Sequence, residues 1–244
     1  MLELVAHRGY PGRFPENSLI GMRAALEAGA RHVEFDVQFT RDGVPVVLHD
    51  ASLRRTTGKR GTVFLMDHAD VAARPAGEPA RFGERYRELR IPRLETMLEL
   101  IEAFPGVTAF VEIKRASLWK TGRTKALQIL RPLLLPRRDW TVLLSFDREL
   151  VAMGRNEFRT GWAFEPWKSH HRQVVEALQP EFLFTCLRGL PPGADAFWQG
   201  PWRWAVYDVP NLAEAQMLHA MGAHLVETDD IGEWLREKPA SDER

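Results

Sequence analysis

Short apolar runs alternate with amphipathic stretches along nearly the whole chain, and this rhythm limits the fold more than any other feature. Runs at 2–6, 32–37, 108–113, 141–145, 160–164, 181–184, 203–207 and 224–226 predict eight strands. Helical spacing between and after them predicts helices at 17–28, 94–103, 125–135, 147–156, 171–178, 212–221 and 231–237. Strands that alternate with helices imply a parallel sheet. Eight such units imply closure, so the expected fold is a (β/α)8 TIM barrel. Its usual length of roughly 250 residues matches the 244 present.

Two segments break the rhythm. An apolar run at 44–48, reached through a turn at Asp42-Gly43, reads as part of the connection after the second strand. Residues 51–91 are polar, rich in Gly and Arg, and without a clear period. They read as a small insertion after the second barrel strand, within one domain spanning 1–244.

The 33 basic and 33 acidic residues cancel. A balanced chain offers no electrostatic reason to expect nucleic acid or an anionic membrane as partner, so any affinity for phosphate must be local. Cys186 is the lone cysteine, which excludes an intrachain disulfide. The N-terminus lacks the pattern of a secretory signal. No stretch approaches the roughly 20 apolar residues of a membrane span. The expected location is cytoplasmic.

Within the second strand, Val33-Glu34-Phe35-Asp36-Val37 alternates apolar and acidic residues. Side chains alternate across a strand, so Glu34 and Asp36 share one face. Buried parallel strands normally read as continuous apolar runs, which argues against a pair of merely solvated acids. Two like charges at that spacing repel unless a cation or a proton intervenes. Phe110-Val111-Glu112-Ile113-Lys114 likewise puts Glu112 and Lys114 on one face. Glu34, Asp36 and Glu112 then form an all-oxygen cluster suited to one divalent cation, Mg2+ or Ca2+, rather than Zn2+. Lys114 is placed for a phosphate oxygen, although a salt bridge to a neighbouring acid would also account for it.

His7 and His49 each follow an apolar run, and imidazole suits proton transfer near neutral pH. Arg8 offers a fork for a phosphate oxygen. These seven residues fall at strand ends, the face where barrel enzymes keep their sites.

The sequence resembles the glycerophosphodiester phosphodiesterases. The resemblance is carried by His7-Arg8, Glu34-Phe35-Asp36, His49, Pro15-Glu16-Asn17-Ser18, the stretch from Asp50 to Gly58, Ile91-Pro92-Arg93-Leu94-Glu95, Glu112-Ile113-Lys114, Ser145-Phe146 and Thr228-Asp229. It implies a metal-dependent hydrolase that cleaves glycerophosphodiesters to glycerol 3-phosphate and an alcohol such as choline or ethanolamine. The three carboxylates would hold the cation. The substrate's own hydroxyl would attack phosphorus, with His7 as base and His49 as acid, and water would open the cyclic phosphate. Arg8 and Lys114 would stabilise the phosphoryl oxygens.

The seventh barrel strand departs from the family's Trp-Thr-Val-Asn, reading Trp204-Ala205-Val206-Tyr207, with Trp204 expected at the mouth as a substrate contact. Trp162, Phe164, Trp167, Phe197, Trp198 and Trp202 suggest an apolar rim, which favours the alternative of lysophospholipase D action. A catalytically silent phosphate-binding barrel would lack one of the seven residues. A metal amidohydrolase would show His-x-His after the first strand, where this chain has His7-Arg8-Gly9.

Overall fold

The computed structural model describes residues 1–168, 170–190 and 196–237. The strands are β1 (Glu3–Ala6), β2 (His32–Phe39), β3 (Pro45–Val47), β4 (Thr108–Ile113), β5 (Thr141–Ser145), β6 (Arg159–Ala163), β7 (Phe182–Cys186), β8 (Arg203–Tyr207) and β9 (Leu225–Thr228). Eight of them pair in parallel in the order β1-β2-β4-β5-β6-β7-β8-β9, and β9 pairs back onto β1. The sheet closes into the expected barrel, with helices between most strands.

Strand parity sorts the side chains. Val5, Phe110, Val142, Leu144, Ala163, Phe182, Phe184, Ala205 and Leu225 fill the barrel interior. Phe110 meets Phe182 and Phe184 edge-on at 4.9 and 5.0 Å between ring centres. The alternate residues, among them Val33, Phe35, Val37, Val111, Leu143, Leu183 and Val206, belong to the outer layer that packs on the helices. Burying a side chain of this kind stabilises by roughly 1.5–3 kcal/mol.

β3 runs antiparallel to β2, with Val37 opposite Val47 and Phe39 opposite Pro45. The segment after it contains short helices at Arg54–Thr57, His68–Ala72 and Pro79–Phe82. Val46, Leu48, Leu53, Val63, Val71 and Ile91 give this region a small apolar cluster of its own. Helix Arg115–Thr121 follows β4 directly and has no counterpart in the sequence reading. Among the described residues, no helix is long and apolar enough to cross a membrane.

Candidate active site

Glu34 and Asp36 point into the upper barrel from β2, and Glu112 joins them from β4, where Asp36 and Glu112 stand side by side in register. One oxygen from each of the three carboxylates lies within 4.8 Å of the others. Oxygens bound to one Mg2+ or Ca2+ at about 2.0–2.6 Å sit at most about 5 Å apart, so the spacing fits a single ion. Lys114 Nζ is 2.7 Å from Glu112 Oε1 and 3.1 Å from Asp36 Oδ1. Arg8 Nε lies 3.1 Å from Asp36 Oδ2, and its Nη1 donates to Glu16 at 3.3 Å. Asn17 clamps Asp36 from both sides, donating to Oδ2 at 2.8 Å and accepting from the Asp36 amide at 3.1 Å.

Three carboxylates face the two cations Arg8 and Lys114, and Glu34 is the acid that neither cation's side chain pairs with. Oε1 of Glu34 is buried without a hydrogen-bond partner. Burial, then the charge of Asp36, pushes the Glu34 carboxyl well above its ordinary range. Burial also raises Glu112, against the pull of Lys114. Burial would raise Asp36 too, but Lys114 and Arg8 outweigh it and hold that group ionised. A divalent cation together with a singly charged phosphodiester brings these five groups to neutrality. The donor set, the spacing and the orphaned oxygen therefore fit such an ion.

His7 follows β1, and its Nδ1 donates to Asp229 Oδ1 at 2.8 Å. Burial alone would lower its pKa, but the Asp229 contact and the charge of Glu227 raise it. The turn that carries His7 needs left-handed backbone at Arg8 (φ 51°) and Gly9 (φ 86°). A Cβ on Gly9 would lie 2.8 Å from the Met22 amide nitrogen, so glycine is required there. The turn aims the Arg8 amide at Glu34 Oε2, 3.2 Å away.

His49 reaches the site from the connection after β2. There β3 runs against β2, so its end points back toward the mouth. The Leu48 amide donates to the Asp36 carbonyl at 2.9 Å, and Gln38 Nε2 donates to the His49 carbonyl at 2.7 Å. His49 Nδ1 pairs with Asp50 Oδ1 at 2.7 Å, and Asp50 is shared with Arg55.

His7, Arg8, Glu34, His49, Glu112 and Lys114 line one cavity of about 720 Å³ at the barrel mouth. Asp36 lies against their base, joined to Arg8 and Lys114. Trp204 is the correction. It shares strand parity with Val206, is 1% exposed, and stacks outside the barrel on Trp167 at 4.7 Å between ring centres. The inward residue at this edge is Tyr207, which does line the cavity. The expected rim is likewise not built from the six aromatic residues named for it. Trp162, Phe164, Phe197 and Trp202 are buried, and none of the six aromatic residues expected there lines the cavity.

The sequence reading also missed Glu227. The apolar run ends at Val226, whereas β9 continues to Thr228. Glu227 lines the cavity, its Oε1 has no partner, and burial pushes its pKa up to about 7.

Residues 7–157 match the model of the glycerophosphoryl diester phosphodiesterase family. The chain belongs to that family. A glycerophosphodiester phosphodiesterase of Caldanaerobacter subterraneus is 40% identical over 200 residues, covering 78% of this chain and 79% of that protein. The glycerophosphodiester phosphodiesterase 1 of Homo sapiens is 29% identical over 174 residues, covering 70% of this chain and 51% of that one. Two other relatives are matched over less than half their length: uncharacterized protein YqiK of Bacillus subtilis over 40%, and the Bacillus altitudinis enzyme over 46%. Among solved structures, a phosphodiesterase of Oleispira antarctica in complex with the product sn-glycerol-3-phosphate superposes with a TM-score of 0.81. It is 22% identical and covers 96% of this chain and 95% of its own. At that identity the likeness establishes the barrel fold.

Proposed function

We propose that this family member hydrolyses glycerophosphodiesters to glycerol 3-phosphate and an alcohol, with one divalent cation, Mg2+ or Ca2+, on Glu34, Asp36 and Glu112. The observation that carries the reading is the convergence of three carboxylates within 4.8 Å beside a cavity lined by two imidazoles. When bound, the cation withdraws charge from the phosphoryl oxygens and makes phosphorus easier to attack.

The chain's own groups do the rest. Lys114 and Arg8 put fixed positive charge beside the carboxylates, where a phosphoryl oxygen would lie. Asp229 holds His7 by Nδ1 and Asp50 holds His49 by Nδ1, which leaves each Nε2 for substrate. In this reading His7 takes the proton of the glycerol hydroxyl next to the phosphate as that oxygen bonds to phosphorus. The bond from phosphorus to the alcohol breaks, and His49 gives the departing oxygen its proton. Water then adds to phosphorus and opens the cyclic phosphate to glycerol 3-phosphate.

The alternative of lysophospholipase D action has lost the feature that motivated it, since the six aromatic residues pack together instead of lining the mouth. Comparing turnover of glycerophosphocholine with lysophosphatidylcholine separates the two readings, and a large preference for the acylated substrate would displace the first.

The reading is tested by following glycerol 3-phosphate release from several glycerophosphodiesters. Release is expected with Mg2+ or Ca2+, should stop in excess chelator, and should return when the cation is restored. Full activity in excess chelator contradicts the assignment.

A further inference from the structure

Glu16, in the loop after β1, is nearly buried and collects contacts from two parts of the chain. Within its own loop, Arg8 Nη1 donates to its Oε2 at 3.3 Å. The other contacts come from the segment after β3. Arg55 Nη1 and Nη2 donate to Glu16 Oε2 and Oε1, both at 2.7 Å. Glu78 Oε1 accepts from the Glu16 amide at 2.7 Å, and Glu78 Oε2 accepts from Arg81 Nη1 at 2.7 Å. Glu78 is buried in left-handed backbone (φ 48°), a conformation that a residue with a side chain holds only where its surroundings impose it. Its amide donates to the carbonyl of Thr56, the residue after Arg55, at 2.9 Å.

The Arg55 guanidinium also reaches the catalytic side. Its Nε donates to Asp50 Oδ2 at 2.8 Å and its Nη2 to Asp50 Oδ1 at 3.1 Å. One planar group therefore grips two carboxylates. Asp50 Oδ1 in turn pairs with His49 Nδ1 at 2.7 Å. Burial would raise the Asp50 carboxyl, but Arg55 and then His49 outweigh it and hold it at about 2. A bidentate fork fixes the plane of a carboxylate. The plane of Asp50 sets where Oδ1 lies, and Oδ1 sets the His49 ring. The His49 and Asp50 side chains are 31% and 29% exposed, so burial alone does not lock the ring. His49 and Asp50 line the cavity, whereas Arg55 does not.

We propose that Arg55 is a positioning residue that fixes the His49 imidazole through Asp50 and takes its own anchorage from Glu16. The loop after β1 and the segment after β3 then set the ring together. The inference rests on the hydrolytic reading above, with His49 as the acid. Arg41 supplies the contrast. It makes the same fork onto Asp67, at 2.9 and 2.6 Å, and so also ties the end of β2 to that segment. Neither Arg41 nor Asp67 lines the cavity.

An acid matters only where the departing oxygen needs a proton. The test therefore compares two diesters of glycerol 3-phosphate in Mg2+: one releases choline, the other p-nitrophenolate, which leaves without a proton. Arg55→Ala should lower kcat for choline release roughly 10- to 100-fold and for p-nitrophenolate release less than about threefold. Asp50→Asn, which leaves the Glu16 anchorage whole, should show the same selective loss. Arg55→Lys keeps the charge without the fork and should recover little. Arg55→Ala combined with Asp50→Asn should cost no more than Asp50→Asn alone. Arg41→Ala should change kcat less than about twofold on either diester. Thermal unfolding on each preparation separates a lost fold from a lost position. An equal loss on both diesters overturns the proposal. So does full recovery by lysine, a loss that multiplies with that of Asp50→Asn, or an Arg41→Ala loss as large as that of Arg55→Ala. Undiminished choline release by His49→Ala, or no turnover by the unmodified chain, overturns the hydrolytic reading beneath it, and both outcomes are distinct from an unselective Arg55→Ala.

Discussion

Glu34→Gln lowers cation-dependent turnover by about 10³-fold or more while leaving the unfolding temperature of the cation-free protein unchanged or slightly raised. The two halves of this expectation have one cause. Glu34 is the acid that Arg8 and Lys114 leave uncompensated, with a buried oxygen that has no partner. Without a cation, neutralising it removes a strain. With one, it removes a ligand from the ion that activates the phosphoryl group. Asp36→Ala loses turnover to a similar degree but behaves oppositely in stability. Asp36 balances Arg8 and Lys114, so its removal strands two mostly buried cations. Breaking a buried pair in this way costs about 3–5 kcal/mol. Steady-state kinetics and thermal unfolding on the same preparations check both halves. Equal destabilisation by the two substitutions would contradict the charge accounting.

His49→Ala lowers kcat by about 10²–10⁴-fold, the range for loss of a general acid or base, and His7→Ala does the same. The role of His7 is read from pH. A base must be neutral to act, so activity rises as pH passes upward through its pKa. Asp229 and Glu227 raise the His7 pKa above its ordinary value and so place that rise at higher pH. Asp229→Asn removes the contact at 2.8 Å and should move the acid limb of kcat/KM to lower pH. A limb that stays in place, or moves upward, contradicts His7 as the base.

Much of this site could be read from alternation along strands. Glu34, Asp36 and Glu112 stand out because they interrupt runs that would otherwise be apolar on both faces, and the structure gathers those three. The strands at Thr108–Ile113, Thr141–Ser145 and Arg203–Tyr207 have the expected ends because their apolar runs are bounded by polar or turn residues. The same parity argument, carried further, places Trp204 outside with Val206 and brings Tyr207 inside with Ala205. Tryptophan at a strand start looked like a mouth residue only when taken alone. Glu227 was hidden by the opposite error: a carboxylate near a chain turn reads as the end of a strand, yet Leu225 and Glu227 face inward together.

Other features had no local signal. Helix Arg115–Thr121 begins immediately after Lys114 without a side-chain cap, so nothing announces it. The Asp229 contact to His7 spans 222 residues of sequence and exists only because β9 closes against β1. Glu16 is a third case. It joins Arg8 of the barrel at 3.3 Å to Arg55 of the segment after β3 at 2.7 Å, a bridge visible only after both have folded.

The most direct measurement is a calorimetric titration of the chelator-treated protein with Mg2+ and with Ca2+, in parallel with a Glu34→Gln, Glu112→Gln double variant. One ion per chain is expected for the unmodified protein, with binding lost or weakened at least a hundredfold in the variant. Equal binding by both proteins, or none by the unmodified chain while it still releases glycerol 3-phosphate, contradicts a cation seated on these carboxylates.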